Sequence, residues 1–391
     1  MAWLLVAGVT VLACGGPGPA AAPPGAPEAA VPTPPVPAAP AARPAGCTPA
    51  PVEERAAQVL VVGLPGATAS SDPMVEEILD VGVGGVLITS PNVESSAQIG
   101  QFTSDLRALA PRPLVIVTGE ESGRVSTFRD VIGSTPPART LASTRSPAEV
   151  QALAEEVGSD LAALGIDLDL APVVDLDEGR VDGIIGDRSF SADPETASTY
   201  GLAWARGLAA AGVAPTAKHF PGHGRVLDDT HLELPVVDAS IDELRQHDLV
   251  PFADLIDAGV PAVMLDHIAY TSLDPSLPAS LAPRAYQLLR EMGFEGVAIT
   301  DSVGMGAVNL RWSFPEAAVL AVTAGADAVL TTDGSQARSM RDALVAAVRS
   351  GQLPEARLDE AAARMVALAG GDPEAFACQA VSLPRLAAPG A

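Results

Sequence analysis

Eight short apolar segments, separated by stretches that carry helix start signals, constrain the fold of this chain more than any other feature. They lie at 59–64, 85–89, 114–117, 166–171, 215–219, 262–265, 296–300 and 328–330. Near-continuous apolar segments of this length are typical of parallel strands that are buried on both faces. Their alternation with helices predicts an α/β fold built on a parallel sheet.

The helices between these segments begin at recognisable capping signals. A serine followed three residues later by glutamate, the pattern of a capping box, occurs at Ser146, Ser240 and Ser313. Asp193 before Pro194 starts another helix. Eight strand–helix units favour a single (β/α)8 barrel of the TIM type. An open doubly wound sheet is the alternative, but no Gly-x-Gly-x-x-Gly follows the first strand, so its dinucleotide-binding version loses support.

Polar residues end or directly follow several of the predicted strands. In a barrel the carboxyl ends of the strands converge on one face, and that face carries the active site. Packing alone does not explain polar groups at so many strand ends, so we expect the site there. The residues are Lys218, His219, Asp266, His267, Asp301 and Asp333.

The N-terminal segment predicts export. Residues 3–13 are apolar, and a bilayer-spanning helix needs about 20 such residues, so this stretch fits the apolar region of a signal peptide. It ends in Val-Leu-Ala-Cys, which resembles a bacterial lipobox with Cys14 as the lipidated residue. We therefore expect residues 1–14 to be a signal, and the protein to be extracytoplasmic, lipid-anchored through Cys14 or secreted. An ordinary cleaved signal peptide is the alternative.

The remaining chain divides by composition. Residues 15–46 are nearly all Pro, Ala and Gly, a composition that favours an extended linker of up to about 100 Å. We expect the barrel domain at 47–380 and a short tail at 381–391. Cys47 and Cys378 lie at the two edges of the barrel domain. Chain ends often lie close together, and export permits oxidation, so a disulfide is expected, with two free thiols as the alternative.

Charge and cysteine usage exclude several classes of function. The formal net charge of -25 argues against a nucleic-acid partner. None of the three cysteines forms a Cys-x-x-Cys pair, which argues against a cysteine-based metal site. We expect no cofactor and no metal, and we expect the chain to be a monomer whose only membrane contact is the lipid anchor.

A histidine-rich segment after the fifth predicted strand carries the strongest chemical signal. It reads Lys-His-Phe-Pro-Gly-His-Gly at 218–224, followed by Asp229, Thr230 and His231. Three interpretations compete: a zinc site, hydrogen bonding to loop backbone, and acid/base catalysis. Pro and Gly between the first two histidines break any helix that would align them on a metal. For catalysis, Asp229 would orient His231 and leave its second ring nitrogen free to exchange a proton.

These motifs resemble those of bacterial β-N-acetylglucosaminidases of glycoside hydrolase family 3, in particular the actinobacterial lipoproteins. Those enzymes contain K-H-F-P-G-H-G, four residues, then D-[ST]-H, and the resemblance extends over about 52–370. It implies a retaining mechanism in which Asp301 is the nucleophile and His231, oriented by Asp229, is the acid/base. The chemistry agrees, because retaining hydrolysis needs a carboxylate nucleophile and a proton donor that later acts as a base. An N-cap role for Asp301 is the alternative.

The resemblance also implies a set of sugar-binding residues, with one departure. Arg124, Arg188, Lys218 and His219 are implied to contact the sugar. Family members read D-Q-E-G-G-R-V after the third strand, and their aspartate holds sugar hydroxyls. This chain reads G-E-E-S-G-R-V at 119–125, with glycine in the place of that aspartate. Glu120 is the expected substitute.

The function expected from these observations is release of N-acetylglucosamine from peptidoglycan-derived muropeptide fragments. A phosphorylase is one alternative, because a neutral histidine repels incoming phosphate less than a carboxylate does. A cell-surface sugar-binding lipoprotein that has lost catalysis is the other. Gly119 alone supports it, while Asp301, Asp229 and His231 argue against it.

Overall fold

The computed structural model describes residues 46–177, 179–226, 230 and 233–386. Twelve strands lie within them. They are β1 (Leu60–Gly63), β2 (Gly85–Leu87), β3 (Val115–Thr118), β4 (Glu120–Ser122), β5 (Val125–Ser126), β6 (Leu168–Asp169), β7 (Ala214–Phe220), β8 (Val236–Val237), β9 (Ala262–Leu265), β10 (Ala269–Tyr270), β11 (Val297–Thr300) and β12 (Val329–Thr331).

Helices of very different length follow the strands. The α-helices are α1 (Val52–Gln58), α2 (Pro73–Val81), α3 (Ser96–Leu109), α4 (Arg129–Ile132), α5 (Ala138–Thr144), α6 (Pro147–Ala163), α7 (Pro194–Ala210), α8 (Ile241–Gln246), α9 (Val250–Asp257), α10 (Pro283–Glu291), α11 (Gly306–Asn309), α12 (Phe314–Ala324), α13 (Ala337–Ser350), α14 (Glu355–Leu368) and α15 (Pro373–Ala377). Single 3-10 turns occur at Ser90–Asn92, Gly186–Arg188, His223–Arg225, Ala279–Leu281 and Gly334–Gln336.

The sheet confirms the predicted barrel. Eight parallel strands follow one another in the order β11-β9-β7-β6-β3-β2-β1-β12. A parallel bridge between Ile299 and Ala328 brings the two outermost strands together and closes the ring. Each of the eight apolar segments overlaps one of these strands, although β3, β7 and β12 extend one residue beyond the predicted bounds. The two short pairs outside the ring, β4 with β5 and β8 with β10, lie in segments that follow barrel strands.

Alternation along each strand separates two hydrophobic layers. Every second residue, such as Val115 and Val117 on β3 or Val297 and Ile299 on β11, belongs to one cluster that fills the barrel interior. The intervening residues pack against the surrounding helices in a larger cluster. This is the expected pattern for strands with period-two side chains that are buried on both faces. Met365 of α14 joins the interior cluster, so α14 covers one end of the barrel.

The predicted helix starts are confirmed. Ser146, Ser240 and Ser313 each form a complete capping box with the glutamate three residues later. Asp193 caps α7 by accepting a hydrogen bond from the Thr196 N–H at 2.8 Å.

The two edges of the barrel domain are joined covalently. Cys47 and Cys378 form a disulfide with a Cα–Cα distance of 5.9 Å, which confirms the expected bridge. The Ala50 N–H also donates to the Phe376 carbonyl at 2.8 Å. The signal expected at 1–14, with Cys14, and the linker expected at 15–46, except its last residue, lie outside the described residues. Among the described helices, none combines the length and the apolar character that a membrane crossing needs.

Candidate active site

A cavity of about 450 Å³ lies at the carboxyl ends of the barrel strands. Six charged or titratable side chains that reach it come from the end of β7 and from the segments after β3, β6, β7 and β11. They are Glu121, Arg188, Lys218, His219, His223 and Asp301. The expectation that strand-end residues meet at one face therefore holds for Lys218, His219 and Asp301.

Asp301 directly follows β11 and stands at the cavity wall as a carboxylate. Its Oδ1 accepts a hydrogen bond from the Ser302 N–H at 2.7 Å, and its own N–H donates to the Leu265 carbonyl at 2.9 Å. Burial alone would raise the pKa of Asp301, but the electrostatic influence of His267 and His219 and the Ser302 hydrogen bond together bring it below its usual value. The group therefore stays ionised, as a nucleophile requires.

Glu121 holds two of the expected sugar-binding cations in place. Arg188 donates two parallel hydrogen bonds to it, from Nε to Oε2 at 2.6 Å and from Nη2 to Oε1 at 2.8 Å. The Lys218 ammonium bonds the same Oε1. Burial alone would raise the pKa of Glu121, but Arg188 and Lys218 bring it far below its ordinary range. One ionised carboxylate thus fixes the direction of both cations.

Asp175 orients the histidine segment, as Glu121 orients the two cations. Its Oδ2 lies 2.6 Å from Nδ1 of His219, while its Oδ1 accepts the backbone N–H groups of His219 at 3.1 Å and His223 at 2.7 Å. Burial would raise the pKa of Asp175, but its contacts with His219 and then His223 lower it overall. The carboxylate therefore orients the His219 ring and leaves its Nε2 directed elsewhere, 3.5 Å from Arg188.

Glu121 and Asp175 were not singled out as site residues from the sequence. Glu121 lies inside the stretch 119–125, and Asp175 lies four residues after the predicted strand at 166–171. The neighbour of Glu121, Glu120, is the residue that the sequence suggests, because it adjoins Gly119, which stands in the place of the family's aspartate.

His223 is almost completely buried beside His219. It is 4% exposed, and the two ring centroids lie 5.6 Å apart. Its Nδ1 has no hydrogen-bond partner among the residues that the structure describes. Burial, followed by the proximity of His219, lowers the pKa of His223 to about 4. The ring is therefore neutral near pH 7.

Arg124 lies away from the cavity wall. Its Nη2 donates to the carbonyls of Gly183 at 2.5 Å and Ile185 at 2.9 Å, and its Nε lies 3.1 Å from Asp187. Within the described part of the chain, Arg124 is not among the residues that line the cavity, although Ile184 is. Its geometry is that of a residue that shapes the loop after β6.

Glu120 also points away from the cavity. Its Oε2 accepts the Phe128 N–H at 2.9 Å, on the far side of the β4–β5 hairpin, and burial raises its pKa. It is absent from the described cavity lining, whereas Gly119 belongs to that lining. The geometry thus gives no support to Glu120 as the substitute for the missing aspartate.

The expected acid/base pair, Asp229 and His231, lies outside the described residues. Thr230, which stands between them in the chain, is described. It is 1% exposed, lines the cavity, and accepts a hydrogen bond from the Ala307 N–H at 2.9 Å.

The sequence pattern of the Glycosyl hydrolase family 3 N terminal domain matches residues 51–368. This chain belongs to glycosyl hydrolase family 3. The resemblance expected from the histidine-rich segment is therefore confirmed, and with it the prediction of a glycoside hydrolase.

Characterised and solved members of family 3 resemble this chain over most of its length. It is 37% identical over 328 residues to the beta-hexosaminidase LpqI of Mycobacterium tuberculosis, covering 82% of this chain and 83% of that protein. A crystal structure of a family 3 member from Mycobacterium smegmatis superimposes with a TM-score of 0.76 at 38% identity, covering 82% of this chain and 97% of the other. A β-N-acetylglucosaminidase from Paenibacillus sp. str. FPU-7 gives a TM-score of 0.79 at 33% identity, covering 85% and 65%.

In this family 3 chain the cavity brings together an ionised carboxylate, Asp301, and two cationic donors, Arg188 and Lys218. Such donors suit hydroxyl and acetamido oxygens. The cavity lies at the face where the barrel fold predicts an active site.

Proposed function

We propose that this chain is a retaining β-N-acetylglucosaminidase that releases terminal N-acetylglucosamine from peptidoglycan-derived fragments. The observation that carries the proposal is the ionised Asp301 at the wall of a cavity that Arg188, Lys218 and His219 also line. The names of the family 3 relatives, a beta-hexosaminidase and a β-N-acetylglucosaminidase, support the choice of sugar.

In the first step, Asp301 attacks the anomeric carbon of the sugar. The bond between that carbon and the leaving-group oxygen breaks, and a glycosyl–Asp301 ester forms. The low pKa of Asp301 supports this role, because the attacking carboxylate must be ionised. The hydrogen bond from the Ser302 N–H to Oδ1 leaves Oδ2 free to form the new bond.

Protons are moved by His231, which Asp229 orients. His231 gives a proton to the departing oxygen, and then removes one from the water that attacks the ester, so Asp301 leaves as a carboxylate again. Both residues adjoin Thr230 in the chain, and Thr230 lines the same cavity as Asp301. This proximity along the chain supports the assignment.

Sugar binding is the task of the cations around Glu121. Arg188 and Lys218 each keep N–H groups that Glu121 does not use, and these suit hydroxyl and acetamido oxygens. His219, held by Asp175, adds a ring nitrogen on the same side. Arg124 contributes indirectly by fixing the loop that carries Ile184.

The test compares Asp301→Asn with wild type on an aryl N-acetyl-β-glucosaminide. The variant should fold and lose at least about 1,000-fold in kcat, because the covalent step disappears. A fluorinated glycosyl substrate should label Asp301 in the wild type, as read by peptide mass spectrometry. The matched control is Asp333→Asn, since Asp333 follows β12, caps a 3-10 turn, and is not part of the described cavity lining.

Three outcomes would overturn parts of the proposal. Label on a different carboxylate would remove Asp301 as the nucleophile. Release of a sugar 1-phosphate, found only when phosphate is added, would make the enzyme a phosphorylase. A muropeptide fragment that stays intact while the aryl glycoside is cleaved would exclude the peptidoglycan substrate.

We further propose that the enzyme works outside the cytoplasm, tethered through a lipid on Cys14 by the Pro/Ala-rich residues 15–46. Cys14→Ala should move the enzyme from the membrane fraction to the soluble fraction. An unchanged distribution would exclude the anchor.

A further inference from the structure

Gly119 leaves an unfilled recess in the wall of the cavity. It connects β3 to β4 and belongs to the cavity lining. A Cβ built on its backbone would meet no atom of the described residues within 4 Å. Within the described part of the chain, a side chain at this position would therefore extend into free space.

The backbone does not require glycine at this position. Gly119 is not among the residues with positive φ, so an ordinary side chain fits its conformation. Gly123, four residues later, is different: its φ is +58°, and a Cβ there would lie 2.8 Å from Pro137. The glycine at 119 thus affects the shape of the cavity and not the folding of the turn.

Several residues of the cavity wall near Gly119 are apolar. Leu170 donates its N–H to the carbonyl of Thr118, and Ile88 accepts the Thr118 hydroxyl at 3.2 Å, so both flank the strand end. Val125 stands across the β4–β5 hairpin. All three of these apolar residues line the cavity.

Two hydroxyl groups near this recess already donate hydrogen bonds to other protein atoms. The Thr127 hydroxyl donates to the Gly119 carbonyl at 3.1 Å, and the Thr89 hydroxyl donates to Asn92 at 2.9 Å. The cations of the cavity, Arg188 and Lys218, are held on Glu121. With both threonine hydroxyls already used, a methyl or methylene group in this recess would find its partners in the apolar residues Ile88, Val125 and Leu170.

We propose that Gly119 is a specificity-determining residue that admits an N-acetylglucosaminide with a small neutral acyl group on a ring hydroxyl. The acyl group occupies the recess beside Gly119 and packs on Ile88, Val125 and Leu170. This inference rests on the proposed function and names the class of substrate for the same site.

The experiment uses the full chain and a series of aryl N-acetyl-β-glucosaminides: the unsubstituted sugar and its 3-, 4- and 6-mono-O-acetyl derivatives. The readout is the ratio of kcat/KM on each acetylated sugar to kcat/KM on the unsubstituted one. A ratio is independent of the fraction of active enzyme. For wild type, one isomer should give a ratio of at least about one third.

Gly119→Asn and Gly119→Asp fill the recess without and with charge. Both should lower the ratio for that isomer by at least about 30-fold, because the acyl group then meets a side chain. The matched control is Gly100→Asp on α3, where a Cβ also meets no atom within 4 Å, and which is not among the described cavity-lining residues. Its ratio should equal that of wild type.

The outcomes separate this inference from the proposed function. If wild type cleaves the unsubstituted sugar but all acetylated isomers are more than about 100-fold slower, the inference fails and the proposed function stands. An unchanged ratio in Gly119→Asn also overturns the inference. If wild type cleaves none of the sugars, the proposed function fails, and the inference fails with it.

Discussion

The two ends of the barrel each bury a carboxylate among cations, and they use it differently. At the amino end, Asp327 precedes β12 and accepts Arg290 at 2.6 Å, Arg364 at 3.1 Å and Arg357. At the carboxyl end, Glu121 accepts Arg188 and Lys218. Both carboxylates have pKa values far below their ordinary range, because neighbouring cations outweigh the effect of burial.

The difference lies in what each network faces. Asp327 is completely buried, and its Oδ2 also accepts the Ala298 N–H at 3.0 Å. Its arginines bond further carbonyls, as Arg290 does with Phe294 and Gly296, both at 2.9 Å. This network joins α10 and α14 to the strand starts and faces no described cavity.

At the carboxyl end, several groups are in arrangements that cost stability: buried polar atoms without hydrogen bonds and a strained backbone. Nδ1 of His223 and Oδ2 of the fully buried Asp169 have no hydrogen-bond partner among the described residues. Ser122 has a φ of 98°, in the left-handed region that glycine prefers. Such violations are expected where function competes with stability. The comparison teaches that a buried ion network stabilises the fold at one end and shapes a binding site at the other.

The largest effect should come from the amino end. Asp327→Asn leaves three arginines around a neutral group, so the free energy of unfolding should fall by about 3–5 kcal/mol. The activity per folded molecule should remain, because the network lies at the opposite end from the cavity. Urea unfolding and kcat measure the two quantities. In the control Asp182→Asn, which breaks an exposed pair with Arg180, the unfolding free energy should stay close to that of wild type. A large loss of kcat in folded Asp327→Asn would contradict the assignment of the amino-end network to stability and of the carboxyl-end network to the binding site.

At the carboxyl end, Glu121→Gln should affect activity more than stability. The amide keeps the shape but loses the charge that orients Arg188 and Lys218, so kcat/KM should fall by about 100-fold. A rise in KM would indicate lost sugar binding, and a fall in kcat would indicate misplacement in the transition state. Glu120→Gln is the comparison variant, because Glu120 bonds the hairpin backbone. If Glu120→Gln lost more activity than Glu121→Gln, the sequence-based choice of Glu120 would be right and the geometric one wrong.

The buried ring of His223 should make the carboxyl end sensitive to acid. Its pKa is lowered from 6.5 to about 4, so the unfolded chain takes up a proton more readily than the folded one. Its contribution to stability is therefore present above about pH 6.5 and is lost as the pH falls toward 4. Between pH 7 and pH 5 the loss is about 2 kcal/mol, and His223→Gln should remove that part of the slope.

Urea unfolding at both pH values measures this slope. His247→Gln is the control, since the His247 side chain is 50% exposed, and its slope should match wild type. A wild-type slope in His223→Gln would mean that other groups cause the acid sensitivity.

The smallest effect should be a gain in stability. Ser122→Gly relieves the strain of a positive φ and should raise the unfolding free energy by about 1 kcal/mol. Ser122→Ala keeps the Cβ and should show no gain. Thermal unfolding of the two variants measures the difference. Equal melting temperatures would show that this hairpin at the carboxyl end stores no strain.

The fold was predictable from local sequence because its signals are local. Apolar segments mark all eight barrel strands, and Ser146 and Asp193 mark helix starts through side-chain caps that lie within three residues. Lys218, His219 and Asp301 line the cavity, as the convergence of barrel strand ends predicts. Asp266, His267 and Asp333 were expected there by the same argument and are not among the described lining residues.

Other assignments depended on side-chain direction, which the sequence does not carry. Successive side chains of a strand point to opposite faces, so a shift of one position along the chain moves a side chain to the other face. Glu121 faces the cavity, whereas Glu120 faces the hairpin. Arg124 lies in a motif that implied sugar contact, yet its guanidinium bonds the loop after β6.

The sequence by itself determined the barrel, the family, the strand-end location of the site and the candidate nucleophile Asp301, because periodicity, capping and motif spacing are properties of the chain. Only the tertiary structure decided which carboxylates serve the site. Glu121 pairs with an arginine 67 positions away, and Asp175 with a histidine 44 positions away. The recess beside Gly119 was likewise visible only in the tertiary structure. The residues that surround it come from separate segments of the chain, and Gly119 alone does not define it.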